Sequence, residues 1–179
     1  MCARDHIDFN HPSCVQVKPS LINGGGTGLF ATRDIGKGQP VVIYYGTKMT
    51  DQEIFDLYLS DRDQYERLAP YLRGTPNGFA IIGDKTTDNS VLHGVYVNDI
   101  ALIGKVNLNS FQIYAATLKL CNLKVVETLD YPVYFATRRI KKGEELYVHY
   151  GIGYWLQYLG LSADQISDYN QIYHFDTLY

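Results

Sequence analysis

Glycines cluster near the start of the chain, in the segment Asn23-Gly24-Gly25-Gly26-Thr27-Gly28. Glycine has no Cβ, so it accepts positive φ and lets the backbone approach a ligand closely. The chain shows no phosphate-binding P-loop motif. Its two Gly-Lys pairs, Gly36-Lys37 and Gly104-Lys105, lack the required upstream glycine and the following Ser or Thr. A dinucleotide fingerprint is also excluded, because a strand and not a helix is predicted after the glycines. Two interpretations remain: a hairpin turn, or a loop whose backbone lies against a ligand.

A second segment of interest, from Tyr134 to Gly151, reads YFATRRIKKGEELYVHYG. This segment and the early segment from Gly26 to Gly38 share one pattern: a strand, a basic and apolar turn that ends in glycine, and another strand. Together they resemble the two ends of a SET domain, the fold that transfers a methyl group from S-adenosylmethionine (SAM) to a protein lysine. The resemblance implies a mostly β fold with inserted helices (α+β), small twisted sheets and a knot-like threaded C-terminal strand. Such a crossing is rare, and sequence patterns alone would not predict it.

The resemblance also implies a SAM site drawn from several separate segments. The residues that it assigns to cofactor binding are Gly26, Thr27, Gly28, Leu29, Tyr71, Asn98, Asp99 and Trp155. Asn98 matches the first residue of the family's Asn-His-Ser-Cys run, whose amide hydrogen-bonds the amino group of SAM. Asp99 replaces the His, which often acts through its backbone. Asn122 matches a second family asparagine, after an interval longer than is usual.

The strongest single match is the segment from Gly143 to Gly151, in which Tyr150 falls on the family's catalytic tyrosine. Methyl transfer from a sulfonium is an in-line displacement by a neutral amine, so the protein must align the two partners and exclude water. A tyrosine hydroxyl does this by positioning and electrostatics, and no metal is needed. By the same resemblance, Tyr44 is a second catalytic residue that lines the lysine channel, and Val148 and Tyr154 also contribute to the channel.

Each aromatic residue in this assignment also has an ordinary structural interpretation. Tyr44 can be a core tyrosine on a strand, because aromatic residues are frequent in strands. Tyr154 and Trp155 can close the C-terminal segment by hydrophobic packing, and this role is compatible with a place at the channel.

Local patterns predict the elements that position these residues. Strands are expected at 15–18, 29–32, 41–45, 78–83, 125–127, 133–137 and 146–150. The run Thr50-Asp51-Gln52-Glu53 is a capping box, and it begins a helix that continues with breaks to Leu68, before Pro70 ends it. A short helical turn is predicted at 154–159.

The expected domain organisation is an N-terminal arm at 1–14, a SET domain at 15–159 and a C-terminal tail at 160–179. The inserted segment of the SET domain covers about 50–92, and the tail either covers the substrate channel or packs on the core. Zinc-ligand residue types occur in the arm, but their spacing matches none of the common zinc patterns, so no metal is expected there. These residues are Cys2, His6, His11 and Cys14. No cysteine follows Cys121, so we do not expect the cysteine-rich zinc loop of many SET domains.

Composition restricts the class of partner. The 179 residues carry a net charge of −3, which argues against a nucleic-acid binder with a broad basic face and suits a basic peptide. The three cysteines are an odd number, and the N-terminal residues contain no apolar signal segment, which predicts a reduced, intracellular protein. No apolar run reaches membrane-spanning length, so we expect a soluble chain without a membrane partner.

The resemblance therefore implies SAM-dependent methylation of a protein lysine. A histone tail is the candidate substrate, which would place the protein on chromatin in the nucleus; another substrate would place it in the cytoplasm. The substitution at Asp99 and the long interval from Asn98 to Asn122 support an alternative, a non-catalytic SET-fold module that binds a basic peptide or SAM. A third interpretation is a β protein rich in tyrosine, with 16 of these residues, that matches the family by chance.

Overall fold

The structure of the chain is a computed structural model, and it describes residues 14–101, 116–128, 130–151 and 154–155. Among these residues the chain forms two compact units, one of residues 14–98 and 122–148, the other of 99–101, 116–121, 149–151 and 154–155. The elements in chain order are β1 (Val15–Pro19), β2 (Thr27–Ala31), β3 (Pro40–Ile43), β4 (Gly46–Thr50), α1 (Asp51–Ser60), α2 (Arg62–Leu68), β5 (Leu72–Gly74), β6 (Phe79–Gly83), β7 (Leu123–Val126) and β8 (Val133–Ala136). Short 3₁₀ turns occur at Ala69–Tyr71, Ser90–Leu92, Gly94–Tyr96 and Leu118–Leu120.

The strands of the first unit form three small antiparallel sheets. Their orders are β1-β2, β3-β8-β7 and β4-β6-β5. The strand residues that face inward are apolar and fully buried, including Leu29 of β2, Ile81 of β6 and Tyr134 of β8. Burial in this apolar core raises the pKa of the Tyr134 hydroxyl to about 12. The mostly β prediction with inserted helices is confirmed.

A segment near the C-terminal end of the first unit is held by three other parts of the chain. On one edge the Leu146 N–H donates to Leu29 O at 2.7 Å, and the Val148 N–H donates to Asn98 O at 3.1 Å. On the other edge Tyr147 O accepts from the N–H groups of Asn122 and Leu123, at 3.1 and 3.0 Å. The segment Glu145–Val148 is therefore enclosed between separate strands and loops, which agrees with the predicted threaded strand.

This segment differs from the strand predicted at 146–150. It forms isolated bridges, antiparallel from Phe30 to Glu145 and parallel from Asn98 to Tyr147, and not a regular ladder. The reason is that its partners are short and come from different parts of the chain, so no single neighbour continues the pairing. Leu146 and Val148 are nevertheless fully buried, which explains the strand-like apolar pattern.

The inserted segment confirms the predicted helix start. The Glu53 N–H donates to the Thr50 hydroxyl at 3.2 Å, and the Thr50 N–H donates to the Glu53 carboxylate at 2.7 Å. The helical run breaks at Asp61, whose side chain caps α2, and it changes to a 3₁₀ turn at Pro70. Two strands that the sequence patterns did not indicate, β4 and β5, flank the helices and pair with β6.

Some predictions fall on residues outside the described ranges. Cys2, His6 and His11 of the N-terminal arm are among them, as are residues 156–159 of the predicted helical turn and the tail at 160–179. Tyr154 and Trp155 are helical, as predicted. Within the described ranges no cluster of His, Cys, Asp or Glu is arranged to hold a metal ion. The described helices are also too short or too polar to cross a membrane.

Candidate functional site

The glycine-rich segment is the connection between β1 and β2, so it is a hairpin turn in topology. Gly24 and Gly26 adopt positive φ, at 80° and 63°, which other residues rarely tolerate. The turn is closed by the Ser20 N–H, which donates to Gly26 O at 2.9 Å. Gly26 and Thr27 are exposed, so their backbone remains accessible to a ligand. The structure is therefore compatible with both interpretations of the glycines.

A buried carboxylate, that of Glu145, lies behind this turn. Its exposed fraction is only 3%. It accepts hydrogen bonds from the Ser20 hydroxyl and the Leu21 N–H, both at 2.7 Å, and from the Tyr147 hydroxyl at 2.8 Å. The Asn98 amide donates a longer bond, of 3.4 Å. We call this group the Glu145 cluster, and its four donors compensate the carboxylate for the loss of water.

Gly28 and Leu29 of the glycine segment are packed inside the first unit. A Cβ on Gly28 would overlap the Glu145 carboxylate and lie 3.3 Å from the Asn98 amide nitrogen. Glycine is thus required here by the Glu145 cluster. The Leu29 side chain is fully buried, so only the backbone of Leu29 is left for the predicted cofactor contact.

The side-chain amide of Asn98 has a fixed orientation. Its nitrogen donates to Thr27 O at 3.0 Å, and to Gly25 O and Glu145 Oε1 at 3.4 Å each. All three partners are acceptors, so the NH₂ group must face them and the carbonyl oxygen Oδ1 must face away. No N–H or O–H of the described residues donates to Oδ1. The Asn98 amide therefore directs its one hydrogen-bond acceptor away from Gly25 O, Thr27 O and Glu145.

Asn122, the second matched asparagine, has a structural role. It is 1% exposed, its amide donates to Glu145 O at 2.8 Å, and its Oδ1 accepts from the Tyr147 N–H at 2.8 Å. The side chain thus pairs with the backbone of the enclosed segment as a neighbouring strand would. Asn122 holds the segment that carries Glu145.

Two of the predicted site tyrosines are brought together in the first unit. The Tyr44 hydroxyl donates to the backbone carbonyl of Tyr71 at 2.7 Å. Tyr44 is 9% exposed, and its ring meets that of Tyr134 edge to face, with centroids 6.4 Å apart. The Tyr71 ring is covered by the Lys85 ammonium, 3.9 Å from its centroid. The arrangement makes Tyr44 both a core residue and the partner of Tyr71.

A second group of predicted residues lies together in the second unit. The Asp99 carboxylate is 4% exposed, and its Oδ2 accepts from the Tyr150 backbone N–H and the Trp155 indole N–H, both at 2.8 Å. Its Oδ1 accepts from the Ala101 N–H at 2.9 Å. Burial raises the pKa of the Asp99 carboxyl, and the three hydrogen bonds oppose this effect only in part.

The aromatic rings near Tyr150 form a compact trio. The rings of Tyr150 and Trp155 are stacked, with centroids 6.3 Å apart and an interplanar angle of 18°. Tyr154 meets the Tyr150 ring edge to face at 4.8 Å and the Trp155 ring at 5.3 Å. Val148, the other predicted channel residue, is 1% exposed and belongs to the first unit.

Sequence patterns did not indicate two features of the site. The first is Glu145, whose only signal is an acidic residue directly before the apolar alternation of Leu146 and Val148. The second is the side chain of Asp99, for which the resemblance suggested a backbone role. An acidic residue close to the apolar Val95 and Val97 is the signal that would have indicated burial.

Comparison with known proteins identifies similar folds. The family model of the SET domain matches residues 26–151. No curated protein matches the chain. The Chaetomium thermophilum polycomb repressive complex 2, in an autoinhibited conformation bound to SAM, is 19% identical with a TM-score of 0.55, and the match covers 90% of this chain and 17% of that one.

Two further structures of the same complex are similar. One is its crystal structure, at 21% identity and a TM-score of 0.53, with 79% of this chain and 16% of that chain covered. The other is a complex with histone H3 bearing a trimethylated lysine, at 20% identity and a TM-score of 0.53, with 80% and 15% covered. At these identities the likeness shows the fold alone, and this chain spans less than a fifth of the length of the chains it matches.

Proposed function

Because the chain belongs to the SET-domain family, we propose that it transfers a methyl group from SAM to the side-chain amine of a lysine in a protein. The observation that carries this proposal is the Asn98 amide. Its nitrogen is held by three acceptors beside the exposed Gly26 and Thr27, so its Oδ1 faces away from those acceptors. An acceptor oriented in this way suits a ligand with an amino group.

The residues proposed to hold SAM follow from the family pattern. The backbone of the Gly26–Leu29 segment and the Asn98 amide would bind its amino acid part. Tyr71, the backbone of Asp99 and the Trp155 ring would complete the site. When bound, SAM supplies a methyl group that is activated by the positive charge on sulfur.

The proposed catalytic residues act by positioning. The Tyr150 hydroxyl orients the lysine amine towards the methyl group, and Tyr44 lines the channel through which the lysine enters. Val148 and Tyr154 contribute channel wall, which excludes water from the neutral amine. The hydrogen bond from Tyr44 to Tyr71 O supports this assignment, because it fixes the direction of the Tyr44 ring.

A histone tail is the substrate that we propose to test first. Support comes from the net charge of −3, which suits a basic peptide, and from the similar complex that holds histone H3. With a histone substrate the protein would act on chromatin in the nucleus; with any other it would act in the cytoplasm. We expect no direct binding to nucleic acid or membrane.

The test is transfer of a labelled methyl group from SAM to core histones and to a mixed lysate. Wild type is compared with Tyr150→Phe and with the control Tyr58→Phe, which removes a hydroxyl from the surface of α1. We expect labelling by wild type and by the control, and a loss of about a hundredfold in Tyr150→Phe. Equal labelling by Tyr150→Phe would remove Tyr150 from the mechanism.

The replacement of the family His by Asp99 favours a second candidate, a non-catalytic module that binds a basic peptide or SAM. Titration calorimetry with SAM and with histone peptides separates the two functions. Binding without methyl transfer to any protein in the lysate would support the module. Transfer to one lysine-containing protein would exclude it.

A further inference from the structure

We propose that the Asp99 side chain is a positioning residue, which sets the place of Tyr150 by binding its backbone N–H and the Trp155 indole N–H with one carboxylate oxygen. The proposal rests on the proposed function, because that function makes Tyr150 catalytic. It departs from the resemblance, which gives this position only a backbone contact with the cofactor.

The geometry of the carboxylate supports this role. Oδ2 lies 2.8 Å from the Tyr150 nitrogen and 2.8 Å from the Trp155 Nε1, and Oδ1 lies 2.9 Å from the Ala101 nitrogen. The residue is 4% exposed, so water competes little for these bonds. Hydrogen bonds from N–H groups to a buried carboxylate are among the stronger ones in proteins.

The consequence for Tyr150 comes through its backbone and through its ring. The bond to the backbone nitrogen restrains the Cα from which the phenol projects. The same oxygen holds the indole of Trp155, which stacks on the phenol at 6.3 Å, while Tyr154 packs against the phenol edge to face at 4.8 Å. One carboxylate therefore restrains both the backbone of Tyr150 and one face of its ring.

The chemistry also explains why Asp, and not the family His, stands at this position. Three N–H donors converge on residue 99, and a neutral imidazole has only one acceptor nitrogen. A carboxylate has two oxygens with two lone pairs each and accepts all three bonds. A cofactor contact through the side chain is disfavoured, since the carboxylate is buried and each oxygen already accepts from the protein.

The test compares wild type with Asp99→Asn, Trp155→Phe and the control Asp130→Asn, whose side chain is 89% exposed. Asn is nearly isosteric with Asp, but its NH₂ group must face at least one of the three N–H donors, so at least one of the three hydrogen bonds is lost. We expect Asp99→Asn to lower kcat for a lysine peptide about tenfold or more, and to raise the Kd for SAM no more than Trp155→Phe does. Trp155→Phe should lower kcat by a smaller factor, and the control should match wild type.

A second readout does not depend on activity. Trp155 is the single tryptophan of the chain, so its fluorescence reports this contact directly. In Asp99→Asn the emission should move to longer wavelength, and exchange of the Tyr150 amide hydrogen should accelerate. Folding of each variant is checked by circular dichroism, and Trp155→Phe provides an independent test through amide exchange if Asp99→Asn does not fold.

The outcomes separate this proposal from the proposed function. If wild type transfers no methyl group, the proposed function fails, and the fluorescence and exchange data still decide whether Asp99 restrains Tyr150. Unchanged fluorescence and exchange in Asp99→Asn would overturn the proposal. A loss of SAM affinity in Asp99→Asn that equals the loss of kcat and that Trp155→Phe does not share would also overturn it, because Asp99 would then act directly on the cofactor.

Discussion

The amide nitrogen of Asn98 lies 3.4 Å from Oε1 of Glu145, a contact between residues that are distant in sequence. Through it, the residue proposed to bind the amino group of SAM is connected to the carboxylate that also holds the Ser20 hydroxyl and the Leu21 N–H. The orientation of Asn98 and the shape of the glycine turn therefore depend on one buried side chain.

Replacing Glu145 by Gln should disturb both. In the wild type the donors of the cluster bond to the two carboxylate oxygens. A Gln side chain replaces one of these oxygens by an NH₂ group, so at least one buried donor is left without an acceptor. We expect the free energy of unfolding to fall by about 1–3 kcal/mol. The affinity for SAM should fall about tenfold, because the Asn98 amide loses one of the acceptors that orient it.

Urea denaturation and titration calorimetry measure the two effects of Glu145→Gln. Glu66→Gln is the matched control, since Glu66 forms an exposed ion pair with Arg62 on α2. Such pairs contribute little to stability. An unchanged SAM affinity in Glu145→Gln would show that the cluster does not support cofactor binding.

Gly28→Ala tests the packing of the same cluster. The added Cβ would overlap the Glu145 carboxylate, so either β2 or the carboxylate must move. We expect a loss of about 1–3 kcal/mol in the free energy of unfolding, as is typical of overpacking. Gly74→Ala is the control, because its Cβ would meet nothing within 4 Å.

Thermal and urea unfolding of the two alanine variants provide the measurement. If Gly28→Ala is as stable as Gly74→Ala, the close approach of Glu145 to β2 does not occur in solution.

The pH dependence of stability should reveal the burial of Asp99. Burial raises its pKa in the folded protein above the unfolded value, so the folded state binds the proton more tightly. The contribution of this group to stability is then fully present below about pH 4, the usual range of an aspartic acid, and is lost as the pH rises through the folded pKa. The positive charge of His149 opposes the shift.

The measurement is the difference in unfolding free energy between wild type and Asp99→Asn over a pH series. Groups that titrate in both proteins and do not interact with Asp99 cancel in this difference, whereas His149, whose charge acts on Asp99, does not. We expect wild type to lose stability relative to Asp99→Asn as the pH rises from acid towards neutrality. A difference that grows in favour of wild type over this range would mean that the folded pKa is lowered.

Local signals in the sequence predicted the local structure well. The capping box at Thr50 and Glu53 fixed the start of α1, and the β-branched and aromatic runs located β3, β6 and β8. β4 was missed because Gly46, Thr47 and Lys48 lack the apolar alternation of a strand. It pairs with β6 because Gly46 allows its backbone to lie against Ile82 without a clash.

The contacts that build the site are long-range, and local patterns do not encode them. Glu145 meets Ser20 and Asn98 because the enclosed segment pairs with β2 and with Asn122. Asn98 was found through a family motif, because a single asparagine carries no signal of its own. The environments of Asp99 and Glu145 depend on burial, and burial of an acidic residue follows from tertiary packing alone.

The enclosed segment Glu145–Val148 also sets the order of events during protein synthesis. The ribosome makes Leu29 and Asn98 well before Val148, which bonds to Asn98 O. At bacterial or eukaryotic elongation rates, the delay between Leu29 and Val148 is on the order of ten seconds. During that interval the edge of β2 is unpaired in the nascent chain. The Ser20 hydroxyl and the Leu21 N–H also lack their acceptor, the Glu145 carboxylate. Chaperones that shield unpaired strand edges would therefore act on this chain before the segment Glu145–Val148 is translated.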